Sequence, residues 1–510
     1  MQEKLMTVKL PPGYYKNGTE YQGKGRWIDG NFVRFFEGTV RPIGRFQRLQ
    51  DSTGADIGLV TGCPRFAYSY RGNSGAIRLG IGTSSKAYVV TAGALTEITP
   101  AGIVAGSCTG VYSDGSGVYG AGCYGCGPYG GLSLSSTLTD ADTWTLDNFG
   151  DYLVGVLTSD GKMYSWDGNT ANDFVQMTNS PTGVRGVVVT PERFVFALGT
   201  TADSRLVKWA SQESLTDWTE TATNSAGDFP LSTKGRLMSG RRTRRQTLLF
   251  TDVDVWAANY IGGDLIYSFD QVGDNCGIIA PNAVSVVESR AYWMGKRAFY
   301  MFDGRVSPVP CEVSDYVFGS FNHTNRALVN AINNSEFGEI WWFYPSAGSV
   351  ENDRAVVYNY RENHWTTHVL TRACGVDREV LPAPVWISGL APNGSVGQGT
   401  IYEHESSTGT LPTPPFIRSG PYEIDNGDYV YRVQSVLPDE NTRGDLKMRI
   451  RKSYNPTDTP TTSAEITLGN AAPIPVRFTA RQMWFDFIEN VVKDWRLGDF
   501  RIGVRKQGRR

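Results

Sequence analysis

From about Phe66 to Glu403 the chain repeats one phrase: a short apolar strand, a tight turn, then an aromatic-rich strand, often closing on Asp-Gly. DYLVGVLTSDGKMYSWDG (151–168) is the clearest instance, with strands expected over Tyr152–Leu157 and Lys162–Trp166 around an Asp160-Gly161 turn. Asp-Gly suits a two-residue hairpin because both positions tolerate positive φ. AVSVVESRAYWMGKRAFYMFDG (283–304) reads as a three-stranded meander, and residues 339–370 repeat the form with a longer loop. Similar units are drawn at 66–98, 183–222 and 235–273. Six or seven units of roughly 40 residues result, each a small antiparallel sheet that cannot bury both faces alone. Stacked radially they form an irregular β-propeller, an arrangement that leaves few sheet edges exposed. A single large β-sandwich is the competing architecture.

Composition bears on the same question. Gly (58), Trp (13), Tyr (25) and Phe (23) are abundant, which favours turns and pleated, half-buried surfaces, so the expected class is all-β. LPTPPF (411–416) has the prolines of an extended spacer. It separates a propeller over 66–410 from a second unit at 417–510. There LKMRIRKS places Leu446, Met448 and Ile450 on one face and Lys447, Arg449 and Arg451 on the other, the pattern of a half-buried strand. This unit reads as a C-terminal β-sandwich-like domain, and residues 1–65 as an N-terminal arm or partial blade.

Little in the sequence points to chemistry. A net charge of −2 advertises neither nucleic acid nor an anionic membrane. The opening MQEKLMTVKLPPG lacks the apolar region of a signal peptide, and no apolar run reaches the ~20 residues of a spanning helix. Seven cysteines without framework spacing suit a reducing compartment better than a disulfide scaffold. CYGC lies inside GVYGAGCYGCGPYGG (117–131), three Gly-x-Tyr-Gly-x units whose variable slots hold Cys123 and Cys126. No second pair completes a zinc site, and the histidines (His323, His364, His368, His404) lie far along the chain. In a strand, His364 and His368 would stand ~13 Å apart, too far to share a metal. No metal or cofactor is expected. The loop at 106–131 is costly to order, so Tyr119, Tyr124 and Tyr129 are candidate subunit contacts.

Thr158-Ser159-Asp160-Gly161 resembles a sialidase Asp-box, but its glycine follows the aspartate directly, and a glycosidase needs two facing carboxylates. Arg443-Gly444-Asp445 is ordinary turn chemistry. RRTRR (241–245) is the sharpest charge cluster. Arg241, Arg242, Arg244 and Arg245 read either as a solvated loop between strands or as a rim contacting phosphates. Residues 441–510 carry 14 Lys/Arg against 7 Asp/Glu, so a local positive face can coexist with a neutral whole.

Several phrases resemble the tail proteins of short-tailed bacteriophages. They are PPGYYKNGTEYQGKGRWIDGNFVRFFEGTVRPIGRF (11–46), the Gly-Tyr loop, WTLDNFGDYLVGV (144–156), VVVTPERFVFALG (187–199), KWASQESLTDWTETATNSAGDF (208–229), DVDVWAANYIGGDLIYSFDQVGDNCGIIAPNAV (252–284) and DWRLGDFRIGVRKQGRR (494–510). The family is the phage stabilisation protein, also called the tail hub or nozzle. The resemblance implies a non-enzymatic virion protein, assembled in the host cytoplasm as a six-fold ring below the portal and its adaptor ring. It further implies a propeller body, a tail-fibre or tail-tip partner, and a channel of non-specifically contacted double-stranded DNA whose packaged genome the ring helps retain. The alternative is a propeller that binds or hydrolyses host-surface glycans, which predicts clustered carboxylates and exposed tryptophans at one mouth. A cellular propeller scaffold would show more regular repeats.

Overall fold

Tyr152–Leu157 and Met163–Trp166 pair as expected, but residues 158–162 join them in place of a two-residue Asp160-Gly161 hairpin. Gly161 takes φ +63° while Asp160 does not turn left-handed, and the Gly161 N–H closes a longer turn on the Leu157 carbonyl at 2.8 Å. The computed structural model describes residues 3–113, 137–438, 444–456, 458–469 and 473–509. Tyr119, Tyr124, Tyr129, Cys123 and Cys126 lie outside the described residues.

Six four-stranded antiparallel sheets follow in sequence, each a simple meander. Their first strands are Pro64–Arg71, Trp144–Phe149, Gly186–Val189, Leu237–Arg242, Val284–Val287 and Asn330–Asn334. A seventh sheet starts at Cys374–Val376. Each first strand lies against the first strand of the next sheet, and Cys374–Val376 returns to Pro64–Arg71. The chain is a seven-bladed β-propeller with its first strands around the axis.

Blade 7 has only three strands of its own sequence neighbourhood, ending in Val396–Ser406. The chain start completes it: Arg45–Arg48 pairs with that strand through Tyr402↔Arg48, and Leu59–Thr61 through Thr400↔Leu59. Tryptophans fasten neighbouring blades. The Trp144 indole N–H donates to the Thr83 carbonyl at 2.5 Å, joining blade 2 to blade 1. Trp342 donates to the Ala283 carbonyl at 3.0 Å, joining blade 6 to blade 5. Buried indoles combine large apolar area with a satisfied polar tip.

Residues from Phe416 onward form two facing antiparallel sheets, and the chain start enters both. Lys4–Val8 pairs with Phe500–Lys506, which is followed by Tyr431–Leu437 and Ile474–Ala480. Trp27–Asn31 pairs with Phe416–Ser419, followed by Gln482–Glu489 and Leu446–Ser453. Leu446, Met448 and Ile450 are buried, as the alternation demands. Phe500 packs edge-on to Phe485 at 5.0 Å and to Phe487 at 5.2 Å, closing the sandwich core. The first 61 residues are therefore shared: two strands complete the sandwich, two complete blade 7, and the hairpin Val33–Phe36/Thr39–Pro42 sits between them.

Two buried contacts tie this hairpin region to the propeller. Phe32 N–H donates to His368 Nδ1 at 3.1 Å. Arg34, only 2% exposed, reaches Glu339 of blade 6 at 3.0 Å and Glu405 of blade 7 at 2.5 Å. Burial opposes the Glu405 charge, but Arg34 outweighs it and holds the carboxyl below its usual range. Burial keeps Glu339 above its own despite Arg34.

One cysteine expectation is corrected. Cys63 and Cys108 are joined, with sulfurs 2.07 Å apart, across a separation of 45 residues. No spacing rule marked this pair. Among the described residues no helix is long and apolar enough to cross a membrane.

Candidate functional site

Arg241 and Arg242 do not lie in a loop. They end the inner strand of blade 4, Leu237–Arg242, and face the propeller axis, whereas Arg244 and Arg245 are exposed on the turn that follows. All seven inner strands line an axial pit of about 300 Å³ at this mouth, which Phe66, Tyr68, Asp147, Arg241, Arg242 and Glu379 dominate.

Most of the pit's charges are already committed. Arg242 donates to Asp147 at 2.7 Å and to the Tyr68 hydroxyl at 3.0 Å. Burial works against its charge, but Asp147, Tyr68 and Glu379 together outweigh burial, so its proton is held more tightly than usual. Asp147 also accepts from the Val189 and Asn148 backbone N–H groups at 2.8 Å each. Asp377 accepts from the Asn333 side chain at 2.8 Å and from two backbone N–H groups. Glu379 is different: burial, then the nearby Asp377 charge, push its carboxyl up. The pit thus holds one raised carboxyl, Glu379, beside two whose oxygens are taken up by hydrogen bonds.

Asn282, which precedes blade 5, bridges the inner strands. Its side-chain oxygen accepts from Arg241 at 3.2 Å, and its amide donates across the axis to the carbonyls of Arg65 (3.3 Å) and Trp144 (3.2 Å). Four blades therefore meet at one side chain. Arg241 stacks near Phe66, with 5.3 Å to the ring centroid, and burial pushes its pKa down to about 10. A cavity of this size accommodates a small molecule.

At the opposite mouth, residues 107–113 and 137–142 bridge several blades. Val111–Ser113 pairs with Thr137–Thr139. Gly110 N–H donates to the Asn325 side chain at 2.9 Å. Asp140 then binds Arg236, before blade 4, at 2.6 Å and Arg326, before blade 6, at 3.0 Å. Burial opposes the Asp140 charge, but Arg326 and Arg236 keep it low. Cys108, bonded to Cys63 of blade 1, anchors the incoming end. The arginine cluster and the Val111–Ser113/Thr137–Thr139 pair thus lie towards opposite ends of one axis.

His364 and His368 lie on the strand His364–Val369 and are buried. Burial pushes their pKa values down to about 4 and about 3. His404 accepts from Arg372 Nε at 2.9 Å, and burial followed by the Arg372 charge lowers its pKa strongly. Among the described residues no cluster of three or more His, Cys, Asp or Glu is placed to hold a metal ion. All thirteen tryptophans are buried, the most accessible being Trp256 at 7%. That removes the indole platforms that the glycan alternative requires.

No protein-family model and no curated protein matches this sequence. Among solved structures, the chain is similar to the β-propeller domain of Cps50 (Swd1) from Myceliophteria thermophila, at 10% identity and a TM-score of 0.40, covering 71% of this chain and 99% of that one. It is similar to a streptogramin B lyase at 9% identity and a TM-score of 0.39, covering 70% and 97%. It is also similar to a catalytically inactive virginiamycin B lyase from Staphylococcus aureus with quinupristin, at 7% identity and a TM-score of 0.39, covering 70% and 99%. At these values the likeness adds nothing beyond the fold that the strand order gives.

Proposed function

We propose that this chain is a non-enzymatic structural subunit of a short-tailed bacteriophage tail. In this reading six copies form the nozzle or hub ring below the portal and adaptor. The ring continues the DNA conduit, meets a tail-tip or fibre protein distally and helps retain the packaged genome. The observation that carries the reading is the sharing of residues 4–61 between propeller and sandwich. Neither domain is complete without the chain start, so load applied to one is transmitted to the other through paired strands. That property suits a wall element under pressure. The saturated carboxylates of the axial pit and the burial of every tryptophan support a structural role over a glycan-acting one.

Antibodies raised against the purified chain and visualised with gold on intact particles test the reading. Label confined to the tail supports it. Label on the capsid, or none on any particle, removes it.

A further inference from the structure

The strand Phe500–Lys506 lies between Lys4–Val8 and Tyr431–Leu437 in one sheet of the sandwich. Phe500, Ile502 and Val504 are buried in the core, so alternation sends Arg501 and Arg505 to the outer face, where both are exposed. Arg432 stands directly opposite Arg505 on the neighbouring strand, and it is also opposite Thr479 of the edge strand. Arg477, two residues before Thr479, therefore shares this face and is exposed as well. Four arginines occupy one flat sheet face.

Among the described residues none of the four forms an ion pair, while Lys447, Arg449 and Arg451 on the companion sheet are answered by Glu465 and Asp486. Glu3 lies beside Gly503, and its carboxylate accepts from the Ser435 hydroxyl at 2.7 Å. Like charges directly opposite in a sheet are destabilising, so the Arg432–Arg505 juxtaposition costs stability until an anion bridges it.

We propose that this face binds duplex DNA through its phosphates, without sequence preference. Arg432 and Arg505 sit on strands about 5 Å apart and can converge on one phosphate. Arg501 and Arg505, four residues apart, are separated by about 13 Å, close to the ~12 Å width of the major groove. They can therefore address phosphates on its two sides. A flat sheet offers no protruding element to enter the groove, so contacts stay on the backbone and carry no sequence information. This surface supplies the DNA-facing wall of the proposed conduit and rests on that reading for its setting, though the binding itself does not depend on ring formation.

The test uses the full chain and 30-base-pair duplexes of two unrelated sequences, with affinity followed by fluorescence anisotropy as NaCl is raised. Replacing Arg432, Arg477, Arg501 and Arg505 together by Gln should reduce the slope of log K against log salt by about 3 to 4. Affinity at low salt should fall more than about tenfold. The four Arg→Lys replacements should keep most of the binding, and Arg501→Gln alone, the fallback if the fourfold Gln variant does not fold, should lower the slope by about one. An unchanged slope in the Gln variants overturns the proposal. So does a strong preference for one duplex, or competition by polyglutamate as effective as by DNA, which would make an acidic protein the partner. Loss of binding on Arg244→Gln with Arg245→Gln, with the four-arginine variant unaffected, would move the contact to the propeller mouth. A chain that binds DNA in this way yet forms no ring would refute the tail reading and leave this inference standing.

Discussion

Arg34 holds Glu339 in a two-point contact, Nε to Oε1 at 3.0 Å and Nη2 to Oε2 at 3.2 Å, with both residues buried. The arginine comes from the N-terminal hairpin and the glutamate from blade 6, so this pair, with Glu405 beside it, joins the chain start to the propeller core. Removing one member of a buried ion pair strands the other charge and costs about 3–5 kcal/mol. Arg34→Leu should therefore lower the unfolding free energy by about that amount in urea denaturation. A change below about 1 kcal/mol would mean that water reaches Glu339 and Glu405.

Asn282 should matter through geometry alone. Asn282→Ala removes the acceptor for Arg241 and the donor to two buried carbonyls. Each of these three buried groups left without a partner costs about 1–3 kcal/mol, so a loss of about 3 kcal/mol or more is expected. Equal stability of the variant and the parent would show that the axis does not depend on this crossbar.

Acid should destabilise the chain before its carboxylates titrate. His364 and His368 have folded-state pKa values pushed down to about 4 and about 3 by burial. An unfolded histidine titrates near 6.5. The unfolded state therefore binds more protons over the range from about 6.5 downward, and stability falls as pH falls. Full effect of one such histidine is about 1.4 kcal/mol per pH unit. Unfolding free energies measured from pH 7 to 5 should show this decline, and His368→Gln should flatten it. A pH-independent stability over that range would contradict the buried, neutral assignment.

Cys63 and Cys108 should resist alkylation in denaturant until a reductant is added, and peptide mass mapping locates the block. Closing a loop of this length is worth up to about 4 kcal/mol in the chain-entropy picture. Cys63→Ser with Cys108→Ser should lose a large part of that. Full labelling of both thiols without reductant would show that the bond is not formed in the purified protein.

The hairpin repeats and LKMRIRKS were legible because turn chemistry and side-chain alternation are local. The pairing of Arg45–Arg48 with Val396–Ser406 was not, since no local pattern encodes a partner some 350 residues away. This long-range closure accounts for the chain start, which read as an arm or partial blade and completes both blade 7 and the sandwich. The placement of RRTRR was half legible: an inner propeller strand ends at the mouth of the pit, so Arg241 and Arg242 extend Leu237–Gly240 without breaking the strand, and Arg244 and Arg245 lie on the exposed turn. The alternation of FRIGVRK was visible in sequence, but the four-arginine face required the register that sets Arg432 against Arg505.

The central claim is that copies of this chain close into a ring and seat beneath a portal. Negative-stain images of the purified chain, alone and mixed with the portal–adaptor complex of the same particle, test it most directly. The account predicts end-on views with six-fold symmetry and a central opening wide enough for duplex DNA, and side views with one added layer below the adaptor. Particles that remain single two-lobed subunits in both samples, with the portal–adaptor complex unchanged, would contradict it.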